Sequence, residues 1–225
     1  MRCTFARVAL VLLVAGCASN APPTQGNYSG FLKDYSDLRQ TTDPAGETIL
    51  RYVNPRLTPS NYVAVIVDPV VTYPRPEPTN QVSQQTLDEI RNYLTTSLRS
   101  AIGSKARVVN APGPGVARLQ IAITGVASQT EGLKPYEVVP VAFVATMATN
   151  AVAGEQQRAK LLVEALATDS VTGEVLLKAV RSHTGASLQR AASNQPTITF
   201  DSVKPIIDSW SATTATLVSQ YVKPR

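Results

Sequence analysis

Residues 62–67 read Tyr-Val-Ala-Val-Ile-Val, an unbroken apolar run bounded by Asn61 in front and by Asp68 and Pro69 behind. A short β-branched run with no alternating polar position has no side to turn to water, so it predicts a buried central strand. The rest of the chain must supply cover for both of its faces.

Helical cover is written in two places. Ser83 is positioned to cap a helix running to about Ile102, with Leu87, Ile90, Leu94, Leu98 and Ile102 at helical spacing and Gly103 as a stop. A closing helix from about Ser202 to Tyr221 carries Val203, Ile206, Ile207, Trp210, Leu217 and Tyr221 on one stripe, with Pro205 falling in its first turn. Trp210 is the only tryptophan and reads as that helix's anchor against a sheet.

Strand signals fill the remainder. Residues 107–110 form a short extended piece, and Pro112, Gly113, Pro114 and Gly115 read as a hairpin turn. Beyond it, Leu119, Ile121 and Ile123 alternate with Arg118, Gln120 and Thr124, giving a core face and a wet face. A second hairpin is signalled by residues 161–168 and 175–182 on either side of the turn at 169–173. Residues 28–38 mix aromatics with aliphatics and read as a segment packed onto the domain. The expected fold is α+β, a two-layer sandwich in which a mixed sheet of about five strands has two long helices packed on one face.

The amino terminus carries a separate message. Arg2 and Arg7 precede a short apolar run at 8–14, which then meets Ala15, Gly16 and Cys17. A spanning helix needs roughly 20 apolar residues, so this run is expected to be a signal segment. Leu13, Val14, Ala15, Gly16 and Cys17 resemble the lipobox of bacterial lipoproteins, with Val14 where leucine is usual. The resemblance implies cleavage between Gly16 and Cys17, diacylglycerol on the Cys17 sulfur and a palmitate-like chain on its freed amine. Two or three such chains anchor stably where one would not.

The expected organisation is a signal peptide at 1–16, a lipidated cysteine and flexible tether at 17–27, and a single periplasmic domain at 28–225. Ala18, in the position after the cysteine, favours sorting to the outer membrane. Residues 18–27 are uncharged and rich in Pro, Ala, Asn and Gln, as a tether would be.

Chemistry is sparse in this sequence. Loss of the leader takes Arg2 and Arg7 off the formal charge of +5, and no basic run interleaved with aromatics points to nucleic acid. Cys3 leaves with the leader and Cys17 is taken by lipid, so the body is left with no thiol nucleophile. His183 is the single histidine, without metal-ligand spacing around it or a Gly-x-Ser-x-Gly elbow to serve. Asp68 and Glu164 are a tempting acid pair, but they read more simply as a turn residue and a hairpin residue. No metal, cofactor or catalytic set is expected, and the chain is expected not to be an enzyme.

Residues 138–152 form an uncharged run too short to span a membrane. Most of it reads as buried; Pro135 and Pro140 interrupt its start, which leaves Val138, Val139 and Val141 as the candidate interaction surface.

Five stretches together resemble a known family: residues 29–38, 52–55, 65–69, 108–115 and 169–174. Across roughly residues 28–221 the chain is similar to the proteobacterial lipoproteins grouped as domain of unknown function 3313. That family has no established activity, so the resemblance carries over only the lipid-bearing Cys17. The functional expectation is a membrane-anchored adaptor that binds an envelope protein or itself, with a carrier of lipid or another small apolar ligand as the alternative.

Overall fold

The computed structural model describes residues 28–59, 61–75, 82–130, 157–188 and 197–224. In chain order the elements are β1 (Arg39–Thr42), β2 (Thr48–Val53), β3 (Ala64–Val67), β4 (Val71–Thr72), α1 (Gln84–Gly103), β5 (Val116–Thr130), β6 (Gln157–Asp169), β7 (Val175–Ser187) and α2 (Phe200–Tyr221). The class is α+β. The strands form one mixed sheet in the order β1-β2-β7-β6-β5-β3, with β4 also paired to β5.

β3 and β4 run parallel to β5, and every other pairing is antiparallel. The sheet has seven strands, more than the five or so expected. The additions include β1 and β2, a polar four-residue edge and its partner, joined through Asp43, Pro44, Ala45, Gly46 and Glu47. The Asp43 carboxylate closes that turn by accepting from the N–H groups of Ala45 and Glu47 at 2.9 Å each, and Gly46 supplies the left-handed φ of +85°.

Both helices form as their spacing dictates. The Ser83 hydroxyl accepts from the Thr86 N–H, and Leu87, Ile90, Leu94, Leu98 and Ile102 are all buried. α2 begins two residues earlier than expected, behind a capping box of Thr199 and Ser202, which moves Pro205 out of the first turn. Val203, Ile206, Ile207 and Trp210 are buried, whereas Leu217 and Tyr221 are only half-buried. The helices share one apolar cluster with Val65 and Val67 of β3, Leu119, Ile121 and Ile123 of β5 and Leu161 and Val163 of β6.

Close approach sets the seat of α2. A Cβ on Gly185 of β7 would lie 2.5 Å from the Ser202 carbonyl oxygen, so only glycine lets the first turn of α2 sit this near the sheet.

Two local expectations are corrected. The turn at 112–115 does not close a hairpin, because residues 107–109 bond to β3 in parallel, through Val65 N–H to the Arg107 carbonyl (2.9 Å) and Val109 N–H to the Val65 carbonyl (3.0 Å). β3 therefore lies between the piece at 107–110 and β5, and the turn carries the chain across its end. Thr124, assigned to the wet face, is fully buried, because the register shifts between Ile123 and Gly125 and leaves it as an extra residue in β5.

Candidate functional site

The sheet face opposite the helices is covered by the start of the described chain. Side chains alternate along β6, so Val163 and Ala165 join the helix-side core while Glu164 and Leu166 point the other way. Glu164 has no exposure to solvent. Its Oε2 accepts from the Tyr35 hydroxyl at 2.6 Å, and its Oε1 from the Ser29 N–H at 3.2 Å. Tyr28 stacks on Tyr35 with ring centroids 4.0 Å apart, and Phe31 meets Tyr73 edge-on.

One strand over, buried Lys178 of β7 donates to the Asp34 carbonyl at 2.9 Å and lies 2.6 Å from Asp37 Oδ1. Leu32 and Leu38 pack with Val180 between these polar contacts. Residues 28–38 are thus pinned to the middle of the sheet by a buried carboxylate, a buried ammonium and a small apolar cluster. Burial pushes the Tyr35 phenol up to about 12, and its hydrogen bond to Glu164 adds to the rise.

A different arrangement occupies the helix side. Arg181 of β7 reaches the fully buried side chain of Asp43 and stacks over the Trp210 ring, 4.8 Å from its centroid. Beside them lies an apolar cavity of about 120 Å³. Its depth is formed by buried Val65, Leu94, Leu98 and Leu119, and its mouth by half-buried Arg51 of β2 with Leu217 and Tyr221 of α2. The Trp210 indole N–H, at its wall, is buried without an acceptor among the described residues.

Buried ionisable groups give the domain a measurable pH signature. Burial pulls Lys160 down from 10.5 to about 8, so between those values the unfolded chain holds a proton that the folded chain has released. Stability therefore rises with pH across that window. Tyr35 and Tyr62 act in the opposite sense: burial first, then hydrogen bonds to Glu164 and Asp169, raise both to about 12. The folded chain keeps those protons above pH 10 while the unfolded chain loses them, and stability falls as pH rises toward 12. The expected result is a urea midpoint that climbs from about pH 8 to about pH 10 and then declines. Lys160→Met should flatten the climb and leave the decline; a wild-type midpoint that stays level below pH 10 would contradict it.

The other residues weighed from sequence are placed apart. His183 lies with Nδ1 3.5 Å from Glu47 Oε2. Asp68 pairs with Arg118 at 3.0 Å, while Glu164 is committed to Tyr35 and Ser29, so the two carboxylates serve separate neighbours. Among the described residues no group of three or more His, Cys, Asp or Glu is arranged to hold a metal ion. Gly16 and Cys17, and also Val138, Val139 and Val141, lie outside the described residues.

From the sequence Glu164 reads as a hairpin residue, and Lys178 and Arg181 do not stand out. A signal existed: Glu164 and Lys178 interrupt otherwise apolar strand faces, and Tyr35, Asp34 and Asp37 stand ready in the packed segment at 28–38.

Comparison with known proteins agrees with the sequence motifs. The family model described as "Protein of unknown function (DUF3313)" matches residues 27–214. Over 221 residues the chain is 38% identical to the uncharacterized lipoprotein YdcL of Escherichia coli K12, covering 96% of this chain and 97% of that protein, and equally to its counterpart in strain O157:H7.

Solved structures give only distant likenesses. A PelC dodecamer from Paraburkholderia phytofirmans is 14% identical with a TM-score of 0.34, covering 78% of this chain and 99% of that one. A putative neuraminyllactose-binding hemagglutinin homologue from Helicobacter pylori is 9% identical with a TM-score of 0.34, covering 72% and 83%. With the family model spanning most of the chain and a lipoprotein relative matching nearly all of it, the chain belongs to the DUF3313 family of lipoproteins of unknown function.

Proposed function

We propose that this chain is a non-enzymatic adaptor of the cell envelope. It is held by acyl chains on Cys17 at the outer membrane, faces the periplasm as a two-layer body, and binds another envelope protein or a second copy of itself. The observation that supports this reading best is the pinned segment at 28–38. The residues that directly follow the expected tether are fastened to the sheet through Glu164 and Lys178, so an anchor at Cys17 would present the domain in a defined orientation. Val138, Val139 and Val141 are its proposed contact surface.

Crosslinking in intact cells, followed by membrane fractionation and mass spectrometry, tests the proposal. The native chain should fractionate with the outer membrane and give a reproducible crosslinked partner or dimer. Cys17→Ser should lose lipid labelling and the membrane fraction, and Val139→Asp should keep its fold while losing the crosslink. Normal membrane fractionation of Cys17→Ser would remove the anchor, and a native chain that crosslinks to nothing would remove the adaptor.

A second reading is favoured by the cavity beside Trp210: carriage of a small apolar ligand. Its volume of about 120 Å³ is close to the roughly 150 Å³ that accommodates benzene in an engineered apolar cavity. The enclosed space suits one ring or one chain end, and a whole diacyl lipid is far too large for it.

A further inference from the structure

Resting on the second reading above, we infer that the cavity and its mouth form a binding site for a single-chain amphiphile with an anionic head. The ligand's apolar end enters between the sheet and α2, and its head meets Arg51. Three observations carry this assignment.

The first is the gradient along the site. At the inner end, Val65, Leu94 and Leu98 are almost completely buried; at the outer end, Arg51, Leu217 and Tyr221 are each partly open to solvent. A ligand entering past α2 would leave water at its tail and retain it at its head, which is the partition an amphiphile makes by itself.

The second is charge. Arg51 lines the site and has no carboxylate partner among the described residues, whereas the other arginines of the lining are spent, Arg181 on Asp43 and Arg118 on Asp68. Arg39 stands directly across from Arg51 in the β1–β2 register, with its guanidinium donating to the carbonyls of Ser36 and Leu38. Two like charges in directly opposed strand positions are unfavourable, and an anion held at Arg51 relieves them. A carboxylate or phosphate head supplies that anion and accepts a charge-assisted hydrogen bond.

The third is size. The enclosed volume admits the last few carbons of one chain, with the remainder lying along the mouth beside Leu217 and Tyr221. Paired acyl chains do not fit, so the ligand class is a monoacyl anion.

The lone tryptophan lies in the cavity wall and reports on occupancy. The full-length chain carrying Cys17→Ser, which cannot be lipidated, is titrated with octanoate, octanol and octyltrimethylammonium while Trp210 fluorescence is followed. Octanoate should shift the emission and bind about tenfold more tightly than octanol, with octyltrimethylammonium weakest. Arg51→Gln should erase the preference for octanoate and leave octanol unchanged, and Arg51→Lys should keep most of it.

If octanol and octanoate bind equally, or Arg51→Gln leaves the preference intact, the anionic head is overturned while the carrier reading stands. If none of the three perturbs Trp210 and calorimetry detects no binding, the carrier reading itself is overturned. Should Arg51→Gln lose its native circular dichroism, the comparison is made between Arg51→Lys and the native residue. Octanoate binding that fails to exceed octanol in both then overturns the assignment.

Discussion

Arg181→Met is expected to destabilise the domain by about 3–5 kcal/mol, the cost of leaving a buried charge without its partner. The Asp43 side chain has no exposure and is held by two backbone N–H groups in addition to the guanidinium. Methionine keeps an unbranched apolar chain against Trp210 while removing the charge, its hydrogen bond to Asp43 and its stacking over the ring. Urea unfolding of Arg181→Met, Asp43→Ala and the double variant checks the reasoning, because the double variant should recover much of the loss. If the single change costs no more than a surface substitution, Asp43 is solvated and the ion pair is not structural.

Leu94→Ala is expected to cost about 2–5 kcal/mol. Leu94 is 1% exposed, belongs to the cluster shared by both helices, and forms part of the cavity wall. Truncation enlarges a space already present, so neighbouring side chains have little incentive to collapse into it and the cost belongs in the upper part of that range. A denaturant midpoint equal to that of the native chain would put Leu94 on the surface and separate α1 from the sheet. Its effect should be independent of Arg181→Met in double combination if the cavity and the ion pair are energetically separate.

Legibility followed the strength of local pattern. α1 was readable because a serine cap and five apolar residues at helical spacing agree, and the structure places each of them as expected, with Gly103 the last helical residue and Ser104 the cap beyond it. The hairpin of β6 and β7 was readable because the turn at 169–173 falls between two apolar runs, although its strands extend further than the pattern indicated. β1 and β2 were missed for a physical reason: Arg39, Gln40, Thr41 and Thr42 have no apolar face, and pairing with β2 makes them a strand. Even so, Asp43, Pro44, Ala45 and Gly46 between two threonine-bearing stretches form a turn signal that could have found the pair.

Pro112 to Gly115 misled in the other direction. A Pro-Gly turn identifies a change of direction without saying which strand lies beside which, and β3 claimed the space that a hairpin would have used. Glu164 and Arg181 were opaque because the partners of buried charges come from segments 129 and 138 residues distant in sequence. The apolar cavity was equally invisible: the apolar residues of its wall read as core, and a gap between core residues leaves no mark on the sequence.

The pinning of residues 28–38 also has a mechanical consequence. Glu164 lies near the midpoint of β6, so the proposed leash ending at Asn27 would join the body near its middle instead of at a rim. With lipid on Cys17, residues 18–27 reach at most ~35 Å, and a body suspended so close to its centre has a short lever arm. With that anchor in place, a sideways push at its edge would produce little torque about the attachment, and a pull from the membrane would pass straight into the sheet. Anything approaching from the helix side would meet a platform whose tilt is governed by two buried side chains, Glu164 and Lys178, while the leash governs only its height.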